Sequence, residues 1–283
     1  MSDIIEKIGF GTIIQHGELN DRIYVMKLHK KDFPDILERI INLADEYLYS
    51  KIFCKVPSWA APVFYSNGFI LEALIPRFYG NKEDVFFMSK FLNPHRFQNP
   101  EQEMLDQLAN LLVNKSDNNS IHEKPESYNI LKLNMKNADS IASLYKKVFD
   151  SYPFPIFDPE YILKTMNENI QYFGIEKNGE LIALSSAEID KTGQNAEMTD
   201  FATLPDFRGQ KLASILLSKM EVEMLSQGIT TLYTIARLNS MAMNKTFLNQ
   251  DYTYAGTLIK NTNISGKIES MNVYYKHLDV LGN

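Results

Sequence analysis

One cysteine, Cys54, stands among 283 residues. A single thiol excludes an internal disulfide and any cysteine-rich zinc centre. Histidine is scarce as well: His16, His29, His95, His122 and His277 are scattered without ligand spacing, so no metal is expected. Glycine and proline number only 13 and 11, which excludes collagen-like and low-complexity chains. Positive charge is in deficit, 29 Lys and Arg against 35 Asp and Glu, for a net of −6. A nucleic-acid binder usually carries a basic balance, so no nucleic-acid partner is expected. Long apolar runs are missing too. The most apolar window, Val56 to Pro76, contains Ser58, Pro62, Asn67 and Glu72, and a carboxylate there is costly in lipid. Asp3, Glu6 and Lys7 interrupt the first apolar stretch, so no export signal is read there. The expectation is a soluble, cytoplasmic protein with no membrane partner.

What is present is an ordinary globular mixture, 45% hydrophobic and 23% charged. The one long polar stretch, NKSDNNSIHEKPES at 114–127, reads as a surface linker dividing the chain near residue 125. Domains over 1–125 and 126–283 are expected. In the second, Tyr128 to Leu133 reads as a strand and Asn137 to Phe149 as a helix with Ile141, Leu144, Val148 and Phe149 on one stripe. SYPFPIFDP (151–159) cannot be helical, because Pro153, Pro155 and Pro159 break it. Pro159 suits the first turn of a short helix through Met166. Strands Ile170–Glu176 and Leu181–Ile189 flank Asn178-Gly179, the strongest short-range hairpin signal. A strand from Ala196 to Leu204 leads to a helix from about Lys211 to Ser226, which stops at Gly228. A strand (Thr231–Ala236), a helix (Asn239–Leu248) and two strands (Tyr252–Lys260, Ile268–Lys276) follow. The first half is less regular: strand Ile23–Leu28, amphipathic helix Phe33–Tyr47, strand Ile52–Val56, and strand Phe69–Ile75 after an aromatic segment.

The informative segment is EMTDFATLPDFRGQKLA (197–213). A strand ends at Leu204-Pro205, a polar loop with Arg208 and Gly209 turns, and a long helix starts. Successive amides at a helix N-terminus make an anion cradle, to which the helix dipole adds. Gly209 allows close backbone approach and Ala213 leaves room for a bulky ligand. Two readings stand here: a phosphate cradle, or a plain strand-to-helix turn with a surface arginine.

The segment resembles the phosphate loop of the GNAT superfamily of acyl-CoA-dependent N-acyltransferases, whose signature is (Gln/Arg)-x-x-Gly-x-(Gly/Ala). Arg208 and Ala213 match its ends and Gly209 the Gly after the Arg; Lys211 stands where the middle Gly is expected. The element order over 128–276 matches the GNAT order. The resemblance implies an α/β (α+β) fold with a mixed, mostly antiparallel central sheet flanked by helices, and acetyl-CoA as acetyl donor. It implies that Thr203 and Leu204 pair with the pantetheine. Phe207, Arg208, Gly209, Gln210, Lys211, Leu212 and Ala213 would hold the pyrophosphate. Asn239 and Asn244 would open the next helix at the coenzyme. Phe247 falls where the family's thiolate-protonating Tyr is usual, and a phenyl ring cannot donate a proton. Solvent, Tyr252 or Ser240 would then serve. In the first half, Phe64-Tyr65-Ser-Asn-Gly68-Phe69 is similar to the family's Tyr-x-x-x-Gly-Phe region without an Arg-Gly loop. That half reads either as a degenerate GNAT-like unit unable to bind CoA, or as a packing module.

QHGELNDRIYVMKL (15–28), KIFCKVP (51–57), SYPFPIFDP (151–159), EMTDFATLP (197–205) and DYTYAGTLIKNTNI (251–264) narrow the resemblance within the family. They imply a small-molecule amine acceptor, specifically beta-lysine acetylated on its ε-amine by direct attack in a ternary complex, giving the compatible solute Nε-acetyl-beta-lysine.

An ammonium acceptor, with pKa near 10.4, must lose a proton before it attacks a thioester. Glu197 is the expected base and Asp200 the group that holds the ammonium or supports the base; a solvated strand carboxylate is the plain alternative for either. Three positions apart, they point to opposite faces of a regular strand unless a bulge intervenes. A free amide near Thr203 or Leu204 would stabilise the thioester oxygen. Arg237 is the candidate cation for an acceptor carboxylate, or else a surface residue. Tyr152, Phe154 and Phe157 would line the alkyl chain or plug the core; Asn261 and Asn263 are polar candidates between the last strands. Acetylation of another small amine or of a protein amine, and non-catalytic acyl-CoA binding, are the competing classes. A homodimer is left open.

Overall fold

A computed structural model describes residues 3–98, 101–114 and 128–278. The expected linker falls almost wholly in 115–127, outside the described residues, and so does the boundary near 125. The first half builds β1 (Ile4–Ile8), β2 (Thr12–Gly17), β3 (Arg22–Lys27), α1 (Ile36–Glu46), β4 (Lys51–Pro57), α2 (Ala61–Ser66), β5 (Ile70–Tyr79), β6 (Glu83–Phe91), α3 (Pro94–Phe97) and α4 (Gln102–Val113). The second builds β7 (Asn129–Lys132), α5 (Ala138–Val148), α6 (Pro159–Glu168), β8 (Ile170–Lys177), β9 (Glu180–Asp190), β10 (Asn195–Thr203), α7 (Leu212–Ser226), β11 (Thr231–Arg237), α8 (Met241–Asn249), β12 (Thr253–Ile264) and β13 (Lys267–His277).

All strands join one sheet in the order β1-β2-β3-β4-β6-β5-β12-β13-β11-β10-β9-β8-β7. It is antiparallel except for the neighbours β3–β4 and β10–β11. The mixed, mostly antiparallel sheet expected from sequence is therefore present. The order also repeats. Read outward from the seam, β5-β6-β4-β3-β2-β1 follows the arrangement of β12-β13-β11-β10-β9-β8, with the parallel pair at the same place in each.

The seam between the halves is a single registered pair, Gly256 with Ala73. Gly256 has φ +150, and a Cβ there would lie 2.0 Å from the Glu72 carbonyl oxygen, so the two backbones meet this closely only at a glycine. A third apolar cluster packs across the seam, with Phe53, Phe78 and Phe87 from one half against Tyr233, Leu258 and Val273 from the other. Polar contacts latch the same edge. The Asn263 amide donates to Asn20 Oδ1 at 2.7 Å, its side chain to the Leu19 carbonyl at 2.8 Å, and Arg96 Nε to the Lys260 carbonyl at 2.8 Å.

Several boundaries move from expectation for local reasons. The first helix starts at Ile36, not Phe33, because Pro34 holds Phe33 extended at φ −94, ψ 138. The strand expected to stop at Lys260 runs to Ile264 through a bulge between Leu258 and Thr262, with Lys260 at φ +46. Of its added residues, Asn263 makes two of the latch contacts. Strands β1, β2 and β6 and helices α2, α3 and α4 had no reading from sequence.

Candidate active site and coenzyme loop

The ladder between β10 and β11 covers only Asn195–Glu197 against Thr231–Tyr233. Beyond it, β10 stays with β9 to Thr203 and β11 with β13 to Arg237. The two strands diverge, leaving a wedge whose facing edges carry no ladder. At the end of β10 a single 3₁₀ turn, Pro205–Phe207, leads through Arg208 and Gly209 into α7. Gly209 (φ +79) and Lys211 (φ +59) are both left-handed. Lysine in this conformation costs roughly 1 kcal/mol, and with it the loop keeps a turn that glycine would take freely. The amides of Leu212 and Ala213 open the helix and have no acceptor within it. The Phe207 and Arg208 amides are engaged in the 3₁₀ turn, on Leu204 and Pro205 carbonyls at 2.9 and 3.2 Å, and so leave the expected cradle. The Leu204 amide is engaged as well, on the Ile182 carbonyl at 2.9 Å, which removes it as an oxyanion donor. Gln210 accepts from the Tyr128 hydroxyl, and Arg208 Nε reaches the Thr203 carbonyl at 3.4 Å.

Beside the wedge lies a cavity of about 300 Å³. Glu197, Thr199 and Asp200 all line it, although neighbours on a regular strand face opposite ways. A register shift between Thr199 and Ala202, with Asp200 at φ +55, turns Asp200 inward. This is the bulge the sequence argument required. Three neighbouring strands set Glu188, Glu197 and Tyr233 in one row. Burial pushes the Glu197 carboxyl up to about 7; Lys55 opposes that shift, while Glu188 adds to it. Glu188 also rises, mainly through burial. Asp200 rises by burial too, against the hydroxyls that donate to it: Tyr152, Ser186 at 2.6 Å and Thr199 at 3.3 Å. The Asp200 carboxylate is thus held by three donors and ties the 151–158 loop to the sheet. Tyr152 and Phe154 line the cavity as expected, whereas Phe157 packs against the core of the second half.

The far wall comes from the first half. Alternation along β3 turns Arg22, Tyr24 and Met26 to one face, and along β4 Phe53 and Lys55. Lys55 Nζ donates to the Tyr233 hydroxyl at 3.2 Å. Burial works against this ammonium, but Tyr233, Tyr24 and the Glu197 and Glu188 carboxylates outweigh it and hold it well above its usual range. Sequence reasoning missed Arg22, Lys55 and Glu188. The only signal for the two cations was period two: alternation in DRIYVMK puts Arg22, Tyr24 and Met26 on one face, and in KIFCKVP it does the same for Phe53 and Lys55.

Five expected residues are placed elsewhere. Asn244 is fully buried, its amide donating to the Arg237, Leu238 and Ser240 carbonyls while its oxygen accepts from Asn272 and Tyr274. It fastens the start of α8 and has no capacity left for a coenzyme. Phe247 is buried against Phe201, Tyr252 and Tyr274. Tyr252 is buried with its hydroxyl beside Glu221, so it is removed as a proton donor. Arg237 gives its fork to Glu269, at 2.8 and 2.7 Å. Asn261 lines the cavity, 1% exposed; Asn263 belongs to the latch. Asn239 is exposed just before α8.

Residues 139–248 match the Acetyltransferase (GNAT) family. The chain is 41% identical over 270 residues to the beta-lysine N(6)-acetyltransferase of Methanococcus maripaludis, covering 94% of this chain and 96% of that protein. The chain belongs to the GNAT acetyltransferase family. It is also 33% identical to N-acetyltransferase YodP of Bacillus subtilis, over 97% of this chain and 98% of the relative. A further relative, the beta-lysine N(6)-acetyltransferase of Methanosarcina mazei, is 28% identical over 87% and 98%. Matches of this length take in parts of both halves of the chain. The chain is an N-acetyltransferase.

Proposed function

We propose that the chain transfers the acetyl group of acetyl-CoA to the ε-amine of beta-lysine, and that Glu197 is the base. The observation that carries the mechanism is the Glu197 carboxyl, raised to about 7 in a cavity beside the unladdered wedge. The names and full-length coverage of the relatives support the acceptor.

The wedge and the loop from Gly209 to Ala213 fit an acyl-CoA: open strand edges for the pantetheine, helix-start amides and two left-handed residues for the diphosphate. When bound, acetyl-CoA supplies an activated thioester carbonyl. Glu197 takes a proton from the acceptor ammonium, directly or through one water, and the neutral nitrogen can then attack. A base near pH 7 suits this task, being ionised at working pH yet basic enough to accept the proton. Asp200, held by Tyr152, Ser186 and Thr199, keeps the 151–158 loop over the acceptor. With Phe247 and Tyr252 buried, the Ser240 hydroxyl at the head of α8 or solvent returns a proton to the departing sulfur.

The doubled strand order supports reading residues 1–125 as a degenerate GNAT-like unit beside a catalytic unit at 126–283. A thiol-release assay with acetyl-CoA against beta-lysine, lysine, polyamines and a peptide tests the proposal. Preferred turnover of beta-lysine is expected; preference for a polyamine or peptide, or no turnover with any amine, overturns it.

A further inference from the structure

The cavity wall contributed by the first half holds an arginine that makes no ion pair among the described residues. Arg22 is 4% exposed, and its Nε is buried with no hydrogen-bond partner. Its Nη1 donates to the Asn261 carbonyl and to Thr262 Oγ1 at 3.3 Å. Its carbon lies over the Tyr24 and Phe53 rings at 5.2 and 5.7 Å. Among the described residues no carboxylate stands within ion-pair distance of it. Burial lowers its pKa to about 10; Tyr24 and, from beyond ion-pair distance, the Asp3 and Glu72 carboxylates oppose that shift only in part, and Arg96 adds to it. A buried cation with no paired carboxylate is costly to keep, and a fold needing only a latch here would do better with an apolar side chain. Beside it, Asn261 Oδ1 is also buried without a partner. Both side chains line the cavity that holds Glu197. One wall thus offers an anion site and an acceptor of N–H, and the opposite side a base.

We infer that Arg22 binds the carboxylate of the acceptor amino acid, with Asn261 accepting from the amine nearest that carboxylate. This rests on the proposed acceptor class and assigns to Arg22 the role that sequence gave to Arg237. The guanidinium lines the cavity with Nη1 held by the Thr262 and Asn261 oxygens, and a carboxylate drawn against it would take up the Nε hydrogen that has no partner. The acceptor is then gripped at its acidic end by β3 and β12, and its distal amine is delivered across the seam to β10. A plain diamine of the same length fits the space but leaves Arg22 unpaired, and is disfavoured for that reason. Selectivity for a diamino acid therefore resides in a residue from the half that lacks the coenzyme loop.

The experiment compares beta-lysine with its decarboxylated counterpart, pentane-1,4-diamine, in the full chain and in Arg22→Gln. The wild type is expected to favour the carboxylated acceptor by roughly 100-fold in kcat/KM. Arg22→Gln should erase most of that preference through the acceptor KM, with acetyl-CoA KM unchanged and diamine turnover kept. Equal losses on both acceptors, or a preserved preference, overturn the assignment. A measurement on the wild type alone covers a variant that fails to fold. 3-Aminobutanoate carries the acidic end without the ε-amine, so it should inhibit competitively against the acceptor, whereas 2-aminobutane should not. Absence of that difference overturns the inference. If beta-lysine is not turned over but another diamino acid is, and 3-aminobutanoate still inhibits, only the acceptor's identity falls.

Discussion

Lys55 of β4 donates to the Tyr233 hydroxyl of β11 at 3.2 Å, placing a cation from one half of the chain beside the Glu188–Glu197 pair of the other. Like charges directly opposite on neighbouring strands repel. Here the repulsion and the burial together lift Glu197 into the range where it can cycle a proton near neutral pH, and Lys55 keeps it from rising further. The cavity that holds Glu197 is lined by residues from both halves, so the first half forms part of its wall.

Replacing Glu197 with Gln should lower kcat by roughly 100-fold or more and remove the ionisation near pH 7 from the kcat profile, with acetyl-CoA binding unaltered by calorimetry. An unchanged profile would remove Glu197 as the base.

The same substitution carries a stability signature. A carboxyl raised from 4.5 to about 7 stabilises the fold fully below about pH 4.5 and loses that contribution as pH rises through 7. Glu197→Gln should therefore melt higher than wild type at pH 8, by an amount on the order of 1–3 kcal/mol, and with no advantage at pH 4.5. Thermal melts at the two pH values check this. A variant less stable than wild type at pH 8 contradicts the buried, strained carboxylate.

Lys55→Met removes the charge that opposes the Glu197 shift. The Glu197 ionisation should move toward alkaline pH by about one unit, so kcat at pH 7 falls while the plateau at high pH is largely kept. Lys55 faces Tyr24, Tyr233, Glu188 and Glu197, so an acid shift or no shift in the limb would show that another of these groups sets it.

Tyr152→Phe deletes one of three donors to Asp200. The 151–158 loop loses its tie to the sheet, and the acceptor KM should rise roughly three- to tenfold with little change in acetyl-CoA KM. Steady-state kinetics in both substrates separate the two. A rise in the acetyl-CoA KM alone contradicts a loop that covers the acceptor.

Gly256→Val drives a side chain into the Glu72 carbonyl, which already lies 2.0 Å from an added Cβ. A loss of roughly 3 kcal/mol or more in urea unfolding is expected. A change within about 0.5 kcal/mol would mean that the seam does not depend on this approach.

The second half was legible because its signals are local. Asn178-Gly179 fixes one hairpin, Pro159 starts a helix, and a polar turn between an apolar strand and an apolar helix marks the coenzyme loop. The Glu197–Asp200 spacing allowed both carboxylates into one cleft only through a bulge, and an irregularity lies there. Asn244, Phe247 and Arg237 were misplaced for one shared reason: position along a motif does not say whether a side chain faces the cleft, the core or a neighbouring carboxylate. Arg22 and Lys55 were out of reach because their place on the cavity wall depends on the register of β3 and β4 and on the Gly256–Ala73 seam. Neither is encoded within any short window.

The most direct measurement is a crystal structure with CoA and beta-lysine bound together. The account predicts pantetheine in the wedge between β10 and β11, diphosphate at the start of α7, and the ε-nitrogen about 3 Å from Glu197 or from one bridging water. Coenzyme seated elsewhere, or an ε-nitrogen with no path to Glu197, would contradict it.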